Sequence, residues 1–261
     1  MANSYKKLQR RNSSFIIEEF EDDFKGMSGK CMEIGCGYGD TTKDILLPAL
    51  DPNAVIIGAD TSEKMIEHAN KTYGDNKRLK FVTFDIETKD LPEEYISEFD
   101  HIFSFPGLFV CKDIRQVFEN IYRMLRPGGT MHMLLVASHT TFEVFKVMAE
   151  DKRYAPYVWD ATPFRDADNP SKELKELLRS IGFTVHHCSH RQMSFSAKYS
   201  DAFPSAIMSN LSVLDKMPSN RKEDFMHEFV SEFMKGKLVF KNGDEEHMTN
   251  VYRSLIISAQ K

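Results

Sequence analysis

One stretch, Met32-Glu33-Ile34-Gly35-Cys36-Gly37-Tyr38-Gly39-Asp40, concentrates more chemical information than any other part of the sequence. Its glycines at 35, 37 and 39 form G-x-G-x-G, not the G-x-G-x-x-G that cradles a pyrophosphate in dinucleotide enzymes. Glycine lets a backbone turn at positive φ and pass close to a ligand, both needed where a strand bends sharply into a helix. No basic residue accompanies this corner to hold phosphate. It carries acids instead, Glu33 and Asp40, which suit a ligand with an ammonium or sulfonium charge.

Three more apolar runs end in groups of matching character. Val55-Ile56-Ile57-Gly58-Ala59-Asp60 closes on an acid placed to accept both hydroxyls of a ribose. Phe81-Val82-Thr83-Phe84-Asp85-Ile86 closes on an acid followed by an apolar residue, a pair suited to an adenine amino group and ring face. Phe99-Asp100-His101-Ile102-Phe103-Ser104-Phe105 brings a small polar side chain, Ser104, to the same edge. A lone acid of this kind reads as a solvated strand end. Four strand ends in succession point to one site.

The elements that must position these residues follow from periodicity. Short apolar runs over 31–34, 54–59, 79–84, 101–105 and 131–137 alternate with amphipathic helical stretches over 42–50, 62–73 and 113–125. Ser62 opens one helix as an N-cap, and Pro127-Gly128-Gly129 stops another. Strands alternating with helices imply parallel βαβ units and a doubly wound sheet. The first twenty-five residues read as one or two helices, apolar at Phe15, Ile16, Ile17, Phe20 and Phe24. Beyond 136 the rhythm loosens: helices are expected over 140–150, 171–181, 202–211 and 221–235, and strands over 183–190 and 251–258. The last helix carries Phe225, Phe229 and Phe233, first of all a core stripe.

Composition narrows the function. The 261 residues carry 34 Lys+Arg against 39 Asp+Glu, a net charge of −5, with no bulk field to attract nucleic acid or anionic lipid. No run reaches the ~18 apolar residues that cross a bilayer, so no membrane insertion is expected. The N-terminus has no secretory character, and Cys31, Cys36, Cys111 and Cys188 contain no C-x-x-C pair. A cytoplasmic protein is therefore expected, with no metal, because no His/Cys cluster has ligand spacing.

The motifs, in order and spacing, resemble those of the class I S-adenosylmethionine-dependent methyltransferases: Glu33-Ile34-Gly35-Cys36-Gly37-Tyr38-Gly39, Gly58-Ala59-Asp60-Thr61-Ser62-Glu63-Lys64-Met65, Asp85-Ile86, and Asn120-Ile121-Tyr122-Arg123-Met124-Leu125-Arg126-Pro127-Gly128-Gly129. The resemblance covers about the first 140 residues. It implies an α/β fold, a Rossmann-like, doubly wound, seven-stranded, mostly parallel sheet with helical cap insertions and an antiparallel last strand. It also implies S-adenosylmethionine as cofactor, bound by Glu33, Gly35, Cys36, Gly37, Asp40, Asp60, Thr61, Met65, Asp85, Ile86 and Ser104. Within one domain over 1–261, the expected parts are an N-terminal helical cap (1–28), a cofactor-binding core (29–140), substrate-cap segments (141–170 and 195–248) and the last two strands (183–190 and 250–259).

A narrower resemblance runs nearly end to end. Leu8-Gln9-Arg10-Arg11, the fourth apolar run, and His139-Thr140-Thr141-Phe142-Glu143-Val144-Phe145 look like the arthropod juvenile hormone acid and farnesoic acid O-methyltransferases. That family methylates an isoprenoid carboxyl group, and by resemblance Gln9 positions the carboxylate. The chain departs where the family has a Tyr-Cys-Leu-His-Trp-like run: it reads Pro106-Gly107-Leu108-Phe109-Val110, and Val110 can donate no hydrogen bond.

A carboxylate is ionised at neutral pH and needs no general base to accept a methyl group. An amine or phenol acceptor would want one, and His139 is the candidate, with helix capping as its competing reading. Val110 and the loop aromatics Tyr157 and Trp159 are expected to line a lipophilic acceptor pocket, for which fourteen Met and twenty Phe are suitable material. Other acceptors, a catalytically silent relative that binds the cofactor, and a homodimer stay open.

Overall fold

In a computed structural model the described residues are 3–105, 111–158, 164, 167–198, 214, 217–235, 237, 239–242 and 245–261. Helices α1 (Asn3–Glu19) and α2 (Glu21–Lys25) precede β1 (Lys30–Ile34). A wide π turn, Thr42–Leu46, continues into α3 (Leu47–Ala49), followed by β2 (Val55–Asp60), α4 (Glu63–Tyr73), β3 (Leu79–Thr83) and β4 (Phe99–Ser104). Next come α5 (Ile114–Met124), β5 (Leu125–Ser138), α6 (Thr140–Glu150), α7 (Pro170–Ile181), β6 (Thr184–Lys198), α8 (Ser219–Met234), β7 (Val239–Asn242) and β8 (Glu245–Gln260). The helix expected over 202–211 lies outside the described residues.

The strand order is β3-β2-β1-β4-β5-β8-β6, with β7 paired to β8. The β1–β2, β2–β3, β1–β4 and β4–β5 pairs are all parallel. Progression reverses direction at β1, so the loops leaving β1 and β4 diverge and open a crevice at the carboxyl ends of the strands. Eight strands correct the seven expected. β7 is the addition, an antiparallel partner running from Val239↔Met248 to Asn242↔Glu245 within a segment assigned to the substrate cap. β6 and β8 also outrun the strands expected over 183–190 and 250–259, because their added residues, among them Arg191-Gln192 and Glu245-Glu246, are polar and an apolar-run criterion misses them.

Local chemistry explains the elements. Central β1 is buried from Cys31 to Ile34 and apolar there save for Glu33, as a strand covered on both faces must be. In α5, Val117, Phe118, Ile121 and Met124 form the buried stripe, and the Asp113 carboxylate caps the helix by accepting from Gln116 N. Asn169 caps α7 in the same way, Pro170 opens it, and Gly182 at φ 123° ends it. Ser62 has the extended backbone of an N-cap, yet its hydroxyl makes no capping bond. Pro127-Gly128-Gly129 begins β5 rather than preceding it: the ladder with β4 shifts register between Phe99 and His101.

The chain resolves into two compact units. One comprises 9–136, 163–191 and 254–261 and holds the strand ends that carry the acids. The other comprises 1–8, 137–162 and 192–253. Its interior is aromatic: Phe225, Phe229 and Phe233 are fully buried along α8, with Phe145 against Phe229 and Tyr154 edge-on to Phe225. The core stripe read from the sequence is present. Among the described residues no helix is long and apolar enough to cross a membrane.

The amino edge of the sheet is tied by charge. Asp100 Oδ2 accepts from Lys30 N at 2.7 Å, and Arg126 Nη1 reaches both Asp100 oxygens at 3.0 Å. Gly29, at φ 83°, sits so close that a Cβ there would lie 2.2 Å from Asp100 Oδ2. Gly29→Ala should therefore lower unfolding free energy by ~2 kcal/mol, from a strained φ and a displaced carboxylate. Urea unfolding would measure it, and affinity for cofactor should be unchanged, because this lesion is at the opposite end of β1 from the glycine corner.

Candidate functional site

The corner after β1 is built as its spacing predicts. Gly35, Gly37 and Gly39 have φ of 75°, 56° and 78°, and the amides of Gly35 and Cys36 both donate to Ala59 O, at 2.7 and 3.1 Å. These bonds lash the corner to the end of β2. Asp60 completes the tie: Oδ2 accepts from Gly37 N at 3.0 Å and Oδ1 from Ser62 N at 2.9 Å. Burial raises the Asp60 pKa above the usual carboxylate value, and the Ser62, Gly37 and Thr61 amides oppose that rise. A carboxylate has about four lone-pair sites, so Asp60 keeps acceptor capacity beyond the backbone it binds. Thr61 is exposed beside it.

Steric fit holds the corner from below. A Cβ at Gly39 would lie 2.7 Å from the Phe81 ring, and one at Gly58 would lie 2.7 Å from the same ring. Phe81, from β3, is thus the floor on which both glycines rest. At Gly37 the nearest neighbour of a Cβ would be Met65 Sδ, 4.0 Å away, so this part of the corner is open. Met65 is half-exposed there, while Ile66 and Ala69 of the same helix supply the buried face.

Glu33 is 1% exposed, and its Oε2 has no hydrogen-bond partner. Burial pushes its pKa up to about 7; the nearby Thr42 hydroxyl pulls it down, and the Asp40 and Asp60 charges raise it further. An unpaired buried carboxyl facing two other acids is costly for a structural role alone and suits a cation. Asp40 is half-buried at the first helical position after the corner, and Cys36 is buried with its thiol pKa well above normal.

On the adenine side of the expected site, Asp85 is exposed, and its Oδ1 accepts from Glu87 N at 2.9 Å. The Ile86 side chain is buried. Asn120, fully buried on α5, donates from Nδ2 to both Ile86 O and Thr88 O at 2.7 Å, and Glu87 Oε1 accepts from the amides of Lys112 and Asp113. Sequence reasoning did not single out Asn120, Phe81 or Glu87 for a role at the site. Asn120 opens one of the matched motifs, which was the available signal; Phe81 and Glu87 have none, since only tertiary contact gives them a task. Ser104 is buried with its hydroxyl donating to Ile34 O at 2.9 Å, joining the ends of β4 and β1.

The acceptor-side residues divide differently. Gln9 is on α1, with its side chain outside the described set; Val110 and Trp159 also lie outside the described residues. Tyr157 is half-buried in the turns after α6, its amide donating to Tyr154 O. His139 caps α6: its Nδ1 accepts from Thr141 N at 3.0 Å, and burial drives its pKa down to about 3. Of the two readings offered for His139, base and helix cap, the hydrogen bond from Thr141 N is that of the cap. Among the described residues no group of His, Cys, Asp or Glu could hold a metal ion.

Comparison with known proteins agrees with this geometry. The family described as "Methyltransferase domain" matches residues 32–131, the span from the glycine corner into β5. The chain is 25% identical to the juvenile hormone acid O-methyltransferase of Drosophila melanogaster over 98% of its own length and 89% of that protein. It is 30% identical to the demethylmenaquinone methyltransferase of Lactococcus lactis over 62% of this chain and 68% of that one. Among solved structures, the YcgJ protein of Bacillus has a TM-score of 0.58 at 13% identity, covering 95% of this chain and 98% of its own. Strand order, glycine corner and motif match together establish that the chain belongs to the class I S-adenosylmethionine-dependent methyltransferases.

Proposed function

We propose that this methyltransferase acts on the carboxylate of a lipophilic small molecule of the juvenile hormone acid or farnesoic acid type. The observation carrying this reading is the similarity to a juvenile hormone acid O-methyltransferase over 98% of the chain, acceptor-cap segments included. Proton chemistry supports it. His139, the one residue the sequence offered as a base, has its Nδ1 committed to Thr141 and a pKa near 3, so it takes up no proton at neutral pH. Amine or phenol acceptors want such a group, and an ionised acid does not.

The residues present fit the cofactor. Unpaired Glu33 Oε2 is placed to take the ammonium of the methionine portion, Asp60 has lone pairs left for the ribose hydroxyls, and Asp85 and Ile86 frame the adenine. Met65 covers the open side at Gly37. Bound there, S-adenosylmethionine supplies an electrophilic methyl group on sulfur. The chain aligns the carboxylate with that methyl, through Gln9 on this reading, and excludes water. Tyr157, Trp159 and Val110 then belong to the apolar lining of the acceptor site.

Methyl transfer assayed over farnesoic acid, straight-chain fatty acids, amines and phenols should give product with the isoprenoid acid. Product from amines or phenols alone would overturn the acceptor class. Cofactor binding without transfer to any acceptor would establish the silent relative. Asp60→Asn should weaken cofactor binding ~10- to 100-fold, since an amide N–H₂ would face a backbone donor at Gly37 or Ser62. Gln9→Ala should mainly raise the acceptor's KM.

Glu33 gives a pH signature. A folded-state pKa near 7 against an unfolded value near 4.5 means that ionisation costs the fold progressively from pH 4.5 to 7, levelling off above that at something on the order of 3 kcal/mol. Without cofactor, Glu33→Gln should melt higher than the wild type at pH 8, and the gap should shrink toward pH 5. Calorimetry at pH 8 should show weaker cofactor binding for the same variant. Parallel melting curves across this range would refute the assignment.

A further inference from the structure

The chain leaves β3 at Phe84, whose amide donates to Asp60 O at 3.0 Å, and then turns over Asp85–Thr88. The turn closes on itself: Thr88 N donates to Asp85 O at 3.1 Å, and Glu87 N donates to Asp85 Oδ1 at 2.9 Å. Further bonds attach it to α5. Glu87 Oε1 accepts from Lys112 N at 2.6 Å and from Asp113 N at 2.8 Å, at the entry to that helix. Asn120 Nδ2 donates to Ile86 O and to Thr88 O, both at 2.7 Å, and its Oδ1 accepts from Gln116 Nε2 at 3.1 Å. Asn120 follows Asp113 by about two helical turns, so both anchors lie on one face of α5. All of these residues belong to the unit formed by 9–136, 163–191 and 254–261.

Asn120 is fully buried, with its donor and its acceptor both engaged. Such an amide locks the carbonyls it serves, because displacing the turn would strand buried polar groups on both sides. The Glu87 carboxylate adds two charge-assisted bonds at the amino end of α5, where the helix dipole favours an anion. Between these anchors Asp85 is exposed, and Glu87 N already orients one of its oxygens. A carboxylate distinguishes hydrogen-bonding partners best when its direction is fixed before the ligand arrives. We propose that Glu87 and Asn120 are positioning residues for nucleobase selection. They fix the turn so that Asp85 favours a ring bearing an exocyclic amino group over one bearing a carbonyl at that place. This rests on the reading of Asp85 and Ile86 as the adenine end of the cofactor site. Neither Glu87 nor Asn120 touches the base on this assignment; both act through the turn.

The test measures binding of S-adenosylhomocysteine and S-inosylhomocysteine by calorimetry, on wild type, Asp85→Ala, Glu87→Ala, Glu87→Gln and Asn120→Ala. The inosine compound presents a carbonyl oxygen to the Asp85 carboxylate, acceptor against acceptor. Wild type should bind the adenosine compound at least roughly tenfold tighter. Asp85→Ala should remove most of that preference. Glu87→Ala should lower it by about threefold or more, chiefly through weaker binding of the adenosine compound. Glu87→Gln keeps an acceptor oxygen for Lys112 N and Asp113 N and should restore the wild-type ratio. Asn120→Ala should also lower the ratio; if that variant does not fold, the two Glu87 variants decide. A wild-type ratio in Glu87→Ala or in folded Asn120→Ala overturns the proposal. An equal loss of affinity for both compounds does the same, because it marks a role in stability alone. A preference that survives Asp85→Ala, or a wild type with none, sinks the adenine assignment itself and the proposal with it.

Discussion

The carboxylate of Asp60 is the interaction on which the glycine corner depends. One oxygen holds the amide of Gly37 and the other the amide of Ser62, so a single side chain fixes both the corner leaving β1 and the entry to α4. Charge-assisted bonds from amides to a buried carboxylate are among the stronger hydrogen bonds available, and these oppose, without cancelling, the desolvation that burial imposes on Asp60. Phe81 adds the steric half of the same constraint, because its ring leaves no room for a side chain at Gly39 or Gly58. The corner is thus held by a bond on one side and by contact on the other. What is left between them is a surface whose open point is Gly37.

The two edges of this sheet are built on opposite principles. At the amino edge the charges are mutually satisfied: Lys30, Glu98, Asp100 and Arg126 pair among themselves, and Asp100 also receives a backbone amide. Partly exposed ion pairs of this kind contribute little each, but they leave nothing unpaired. At the carboxyl edge three acids gather instead, Glu33, Asp40 and Asp60. Burial, and after it the Asp40 and Asp60 charges, raises the proton affinity of Glu33, whose Oε2 has no hydrogen-bond partner. Such a gathering opposes folding, which is the usual relation between a stable scaffold and a strained site it carries.

The unit containing α6, α8 and the hairpin of β7 and β8 follows a different logic. Its interior is a row of aromatic rings, with Arg153 bridging Asp151 and Glu228 at its rim and Tyr154 donating to the same glutamate. In that setting a neutral histidine cap at the start of α6 is a structural choice. Nδ1 must stay an unprotonated acceptor to satisfy Thr141 N, and burial keeps it so.

Sequence by itself determined the parts whose physics is local. The apolar runs and helical periods gave the parallel strands and their order of appearance, and G-x-G-x-G required a tight positive-φ corner because no other residue turns there without strain. The acids at 60 and 85 were legible because each ends an apolar run, where a strand must end at a sheet edge, and Glu33 because it interrupts one beside the glycines. Tertiary structure alone decided what distant residues do to one another. Strand β7 escaped notice because four residues, Val239–Asn242, are too few to show a period. Phe81 and Asn120 gained their tasks from rings and carbonyls far away in sequence. His139 could be read as base or cap until burial and a hydrogen bond to Thr141 fixed its protonation. A sequence lists which groups can ionise or donate; only the folded chain sets the dielectric and the partners that decide whether they do.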